Sequence, residues 1–216
     1  MNGRFIVIEG IDGAGTTTHT KMLSSALRAR DLAVHATREP SDGPIGMLLR
    51  QILSRRVVVP GVSGHHSPSW QSMALLFAAD RMDHLQSEVI PNLTEGITVI
   101  SDRYDHSSVA YQSLSGDHPE GALGWVQELN RHARRPDLTI VLDVKADECA
   151  RRRASRSAVR EMYETEAFQA RLATFYERIE DHFVADHVVH VDANGAVEQV
   201  AAAILEHTML LLGEQG

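Results

Sequence analysis

The sequence predicts an α/β fold built on a mostly parallel sheet, and three observations carry that expectation. Five short apolar, β-branched runs recur along the chain without polar alternation, as strands do when helices cover both sheet faces. Amphipathic segments alternate with them, the order of a βαβ succession. The first run also ends in glycines that open onto a helical pattern.

Taken in order, residues 5–9 (FIVIE) form the first strand and a helix follows Gly15. Residues 33–37 read as the second strand and 45–53 as a helix; 71–89 carry a long helical pattern into a third strand at 98–102. Residues 138–143 and 187–191 complete a five-stranded parallel sheet, with helices over 146–156, 166–183 and 196–212. Segments 41–44, 60–68 and 115–120, rich in Gly, Pro, Ser or His, read as loops. Ligands of such sheets collect beyond the carboxyl ends of the strands, so those ends are where chemistry is sought.

Composition narrows the function classes. A chain of 216 residues with no internal repeat or long linker is expected to form one domain. Its net charge of −8 argues against a nucleic-acid-binding surface. No apolar run reaches the roughly 18–20 residues that a membrane span needs. The N-terminal run turns to glycine too soon for a secretory signal, and a cytoplasmic protein is expected. A single cysteine, Cys149, excludes an intrachain disulfide framework, and the 12 histidines show no metal-binding spacing. Of the 21 basic residues only Lys21 and Lys145 are lysines.

The stretch GIDGAGTTTHT fits the phosphate-cradling pattern G-x-x-x-x-G-K-[ST] at Gly10 and Gly15, but Thr16 stands where the lysine belongs. The cradle's donors are main-chain N–H groups, so Gly10, Gly13, Ala14, Gly15, Thr16, Thr17 and Thr18 can still wrap the phosphates of a nucleotide. Thr17 holds the hydroxyl position that reaches Mg²⁺. At the second strand end, Arg38 of TREP offers a bidentate grip on an anionic acceptor. Phe77 and Arg81 lie four residues apart, on one helix face, where a ring and a cation can meet a base. Asp102 ends the third strand as a Mg²⁺-binding carboxylate would, with Arg103 beside it and Ser107, Ser108, Tyr111 and Gln112 following. Arg152, Arg156 and Arg160 recur every fourth residue, with Arg153 alongside. Singly, these features have plainer readings: a solvated loop charge, a core phenylalanine beside a surface ion pair, a solvated basic helix.

Together, FIVIEGIDGAG, TREP, LLFAADR, SDRYDHSSVAYQ and PDLTIVLDV resemble the thymidylate kinase family, in its order and over nearly the whole chain. The resemblance implies a P-loop nucleoside-monophosphate-kinase fold with an arginine-rich lid near 150–165, and phosphoryl transfer from ATP, with Mg²⁺, to dTMP. It places Asp12 at the deoxyribose 3′-hydroxyl and the transferring phosphate, Arg38 and Arg103 on the acceptor phosphate, and Glu39 and Asp102 near Mg²⁺. Phe77 would stack on thymine, Arg81 would contact the base, and Ser108 and Gln112 would border it. Tyr111 would lie beneath the sugar and disfavour a 2′-hydroxyl. A lid arginine, Arg153, Arg156 or Arg160, would serve the donor phosphates, and a homodimer would form through the FAADR helix region.

Thr16 departs from that pattern, and an uncompensated loss of the lysine charge would cost about 10²–10³ in rate. Lys21, about 7.5 Å further along the helix and turned by roughly 140°, is poorly placed to replace it. Two other functions stay open on the sequence: a nucleotide-binding protein without catalysis, and a kinase for another monophosphate or with altered donor use.

Overall fold

The computed structural model describes residues 3–61, 64–116, 119–154, 162–163 and 165–213. Five parallel strands form the main sheet: β1 (Phe5–Glu9), β2 (Val34–Arg38), β5 (Thr98–Asp102), β6 (Leu138–Asp143) and β7 (Val188–Asp192). Their order is β2-β5-β1-β6-β7. β3 (Val59–Gly61) and β4 (Gly64–His66) pair separately as an antiparallel ribbon, inside the segment expected to be a loop. The expected sheet is present, with β2 and β7 each displaced by one residue.

That displacement matters, because it places Arg38 at the end of β2 in register with Asp102 of β5, which in turn pairs with Ile8 of β1. Three strand ends thus deliver chemistry-bearing residues to one edge. β1 is buried along its whole length. Ile6 and Ile8 join the larger core, while Phe5 and Val7 join a second one with Leu85, Val89, Val99 and Tyr104. Burial of both strand faces is why the run shows no alternation.

The helices are α1 (Thr16–Arg28), α2 (Pro44–Leu53), α3 (Trp70–His84), α4 (Ile90–Thr94), α5 (Asp105–Ser115), α6 (Pro119–Leu129), α7 (Ala146–Ala154), α8 (Glu166–Tyr176) and α9 (Val197–Leu212). The pattern over 71–89 is not one α-helix. α3 begins at Trp70, capped by the Ser69 hydroxyl, and passes through a π-helical turn, Leu85–Val89, just before Pro91. Proline has no N–H for the i→i−4 ladder, and a wider turn accommodates the break. The helix expected over 166–183 stops at Tyr176 and yields to a 3₁₀ turn, Ile179–His182.

Behind the turn from β5 to α5 lies a buried ionic cluster. The His106 ring sits 3.3 Å from Asp105 and 3.1 Å from Asp186, and Arg135 bridges the same two carboxylates. Phe183 covers the imidazole, ring centroids 4.0 Å apart. Burial by itself lowers the His106 pKa, but the bonds to Asp105 and Asp186 outweigh it and push the value up to about 9, from an ordinary 6.5. A raised histidine contributes stability that is complete below about pH 6.5 and is lost as pH rises through about 9. The Tm is therefore expected to fall by several degrees between pH 6.5 and 9.5, and by less in His106→Gln. Parallel melting curves for the two proteins would overturn this assignment.

Candidate active site

The carboxyl ends of β1, β2 and β5 open into a cavity of about 730 Å³. One wall is the loop from Gly10 to Gly15. A Cβ at Gly10 would stand 3.0 Å from the Ala14 side chain and 3.2 Å from the Leu142 carbonyl, which explains a glycine where loop and sheet meet. Gly15 has φ +104°, a left-handed conformation that favours glycine, and it caps α1 without a side-chain hydrogen bond. The first-turn N–H groups of α1 thus keep no side-chain cap, the arrangement that binds phosphate. Thr16 lines the cavity at 7% exposure and brings a hydroxyl but no charge.

The Thr17 hydroxyl donates to Asp102 Oδ2 at 2.5 Å, while Asp102 Oδ1 is buried without a hydrogen-bond partner. An orphaned carboxylate oxygen beside a hydroxyl suits Mg²⁺, which takes one or two protein oxygens and completes its octahedron with water and phosphate. Among the described residues no three His, Cys, Asp or Glu side chains form a fuller metal cluster. Glu39 does not join this pair. Its main-chain N–H donates to the Asp102 carbonyl at 3.0 Å, but its carboxylate faces Arg81 (2.7 Å) and His84 (3.2 Å). The fully buried Arg81 demands a counter-charge, and Glu39 supplies it.

Arg103 also lines the cavity. Its φ of +73° is uncommon for a residue with a side chain, a kind of backbone strain that clusters at functional sites. The guanidinium donates to the Gly10 carbonyl (2.8 Å), Ser107 Oγ (3.0 Å) and Asp12 Oδ1 (2.8 Å). Burial works against its charge, but Tyr111 and Asp12 hold it firmly protonated. The Tyr111 hydroxyl donates to the same Asp12 oxygen at 2.8 Å, and its ring lies beneath Arg103. Beneath them Glu9 accepts from the Tyr104 and Ser107 N–H groups, from Ser107 Oγ and from Tyr176 Oη. Glu9 was not among the expected site residues; its signal was a carboxylate ending an otherwise apolar strand.

At the far end Phe77, Arg81, Ser108 and Gln112 line the same cavity. Arg81, 1% exposed, donates to Asn130 Oδ1 (2.5 Å), Glu39 Oε2 (2.7 Å) and Ser108 Oγ (2.9 Å), leaving Nε without a partner. Gln112 is likewise buried with Oε1 unpaired. The two residues thus bring one spare donor and one spare acceptor close behind the cavity wall, the kinds of group that the edge of a base carries. At the mouth Arg38, its side chain 54% exposed, pairs with Asp42 at 2.7 Å, and Arg50 reaches the same oxygen at 3.0 Å.

Of the arginine-rich segment, Arg156, Arg160 and the side chain of Arg153 lie outside the described residues. Arg152 lies within them. It pairs with Glu148 at 2.7 Å and points Nη1 at the Ala14 carbonyl of the glycine loop, 3.5 Å away, and Nη2 at that of Ala193. Lys21 faces a separate cleft of about 200 Å³ beyond Thr17 and Asp102, consistent with its turn around α1.

A family model described as thymidylate kinase matches residues 8–204. The chain belongs to the thymidylate kinase family. Relatives that each carry the description "Probable thymidylate kinase" agree over almost the full length. The Pyrococcus horikoshii protein is 36% identical over 213 residues, 97% of this chain and 99% of its own. The Pyrobaculum aerophilum protein is 38% identical over 205 residues, 94% of each chain. The Thermococcus gammatolerans protein is 37% identical over 209 residues, 91% of this chain and 97% of its own. Thymidylate kinases are nucleoside monophosphate kinases, and the α/β architecture and five-stranded parallel sheet fit that class.

Proposed function

We propose that this thymidylate kinase family member transfers the γ-phosphoryl group of ATP to dTMP, giving dTDP and ADP. The observation that carries the reading is the Asp12–Arg103–Tyr111 constellation, set between the open N-terminus of α1 and the Arg81–Gln112 wall in one cavity.

In this reading Arg38 and Arg103 hold the dTMP phosphate, whose oxygen attacks the γ-phosphorus in line as the bond to the ADP oxygen breaks. N–H groups of the glycine loop and α1 take up donor charge, and Arg152 adds a cation beside the loop. Thr17 and Asp102 would hold Mg²⁺, which neutralises charge on the donor phosphates. Asp12 meets the 3′-hydroxyl, and Tyr111 underlies the deoxyribose where a 2′-hydroxyl would crowd it. Phe77 stacks on the base while the Arg81 guanidinium and the Gln112 amide meet its polar edge, with Ser108 holding Arg81 in place.

A cytoplasmic homodimer completes the proposal. Exposed Leu75 on α3, with Met47 and Leu48 on α2, supplies apolar surface for a second copy. No helix among the described residues is long and apolar enough to cross a membrane.

Coupled ADP-release assays with dTMP, dUMP, UMP and CMP, at saturating ATP and Mg²⁺, test the reading. The expected result is a clear preference for dTMP; absence of dTMP-dependent turnover would overturn it. In the same assay Thr16→Lys is expected to raise kcat about tenfold, the worth of one charge-assisted phosphate contact. A fall would show that the donor site is shaped around threonine.

A further inference from the structure

We infer that Gln169 of α8 is a positioning residue for Asp12, fixing the carboxylate with a neutral donor on the oxygen opposite the one Arg103 binds. The inference rests on the proposed role of Asp12 at the acceptor. Gln169 is 1% exposed, and its Nε2 donates to Asp12 Oδ2 at 2.8 Å and to the Tyr163 carbonyl at 3.0 Å. Arg103 and Tyr111 both bind the other oxygen, Oδ1. Bonds to one oxygen alone would let the carboxylate rotate about them; a donor on each oxygen sets its plane. One amide also ties two distant parts of the chain, the loop after Gly10 and the segment at Tyr163, to the same point.

The neutrality of this donor is the useful feature. Arg103 already sets a cation against Asp12 Oδ1, and a cation in place of the Gln169 amide would compete with substrate for the carboxylate. An acid would repel it. Gln169→Glu therefore separates the positioning role from simple space filling. The ionised carboxylate introduced by that change would stand about 3 Å from Asp12, where two like charges retain one proton between them. Once protonated, the new side chain is again a neutral donor with the shape of glutamine. Among the described residues, charged and titratable groups facing the pair include Arg103 from the β5–α5 turn, Tyr111 from α5, Glu9 from β1, Tyr163, and Tyr176 further along α8. Glu9 reinforces the retention of a proton, while Arg103 opposes it.

The test measures kcat and both KM values for the wild type, Gln169→Glu and Gln169→Leu from pH 5.5 to 8.5, with dTMP and ATP as substrates. Gln169→Glu is expected to lose about tenfold or more in kcat at pH 8 and to regain most of it, relative to wild type, toward pH 5.5. Gln169→Leu is expected to lose a similar factor at every pH, and the KM for ATP stays unchanged in both. Profiles of the same shape for the two variants, or values within twofold of wild type throughout, would overturn the inference. If Gln169→Glu does not fold, the leucine variant decides alone: a kcat loss at constant ATP KM supports positioning, and wild-type kcat overturns it. Failure of the wild type to phosphorylate dTMP would remove the functional reading itself, a result distinct from an active wild type with indifferent variants.

Discussion

Arg103→Met is expected to lower kcat about 10³-fold and to raise the KM for dTMP, with steady-state kinetics as the measurement. The guanidinium joins three groups beside the cavity: the Gly10 carbonyl of the glycine loop, the Asp12 carboxylate and the Ser107 hydroxyl. In the proposed reaction it would place positive charge along the path of the transferring phosphoryl group. Methionine keeps an unbranched stem over the Tyr111 ring but removes every one of these donors, and Asp12 Oδ1 loses the guanidinium while Tyr111 and Gln169 keep their bonds to the carboxylate. Lysine is expected to rescue little, because one ammonium cannot span contacts that a planar fork meets together. Both replacements carry a Cβ, so the cost of the left-handed backbone at position 103 is common to all three proteins. A methionine variant within tenfold of wild type in kcat would remove Arg103 from the reaction.

Much of the architecture was legible because the sheet is buried on both sides. Continuous apolar runs such as FIVIE and LTIVLD have few alternatives in a chain this polar. The helix α5 was not legible, and the reason is chemical. Its buried positions mix Asp105, His106, Ser108, Gln112 and Ser113 with Val109, Ala110 and Tyr111, so polar residues interrupt the 3.6-residue apolar period. The same effect hid half of the site. Asp12, Arg38, Phe77, Arg81, Asp102, Arg103, Ser108, Tyr111 and Gln112, named from strand-end motifs and the family resemblance, line one cavity or its mouth. Asn130 and Gln169 hold Arg81 and Asp12 directly, and Glu9 holds Ser107, which accepts from Arg103; such partners are set by tertiary contact over long sequence separations. Glu39 shows the limit from the other direction. The family resemblance placed it near a metal, but Arg81, 42 residues away, pairs with the carboxylate.

That pairing leads to the largest expected change in stability. Arg81→Met should destabilise the protein by about 3–5 kcal/mol, because breaking a buried ion pair leaves the surviving charge without compensation. For a chain of this size, that corresponds to roughly 6–20 °C in Tm. The loss has identifiable parts: Glu39 loses its 2.7 Å partner, Asn130 and Ser108 lose their donor, and the Tyr104 ring loses a cation 5.0 Å from its centroid. Among the described residues His84 is the cation left against Glu39, at 3.2 Å. Burial lowers the His84 pKa, but its bonds and proximity to Glu39 and Glu88 raise it overall. Its help is therefore complete below the unfolded histidine value and fades as pH rises through the raised one. The Arg81→Met penalty should accordingly deepen between pH 6 and pH 9 in thermal melts. Adding Glu39→Gln removes the stranded charge, and the double variant should recover stability relative to Arg81→Met alone, most strongly at the alkaline end. It should not recover dTMP affinity if Arg81 contacts the base as proposed, because the guanidinium is still missing. Additive losses in the double variant would mean that Arg81 stabilises the fold by packing alone, with Glu39 independent of it.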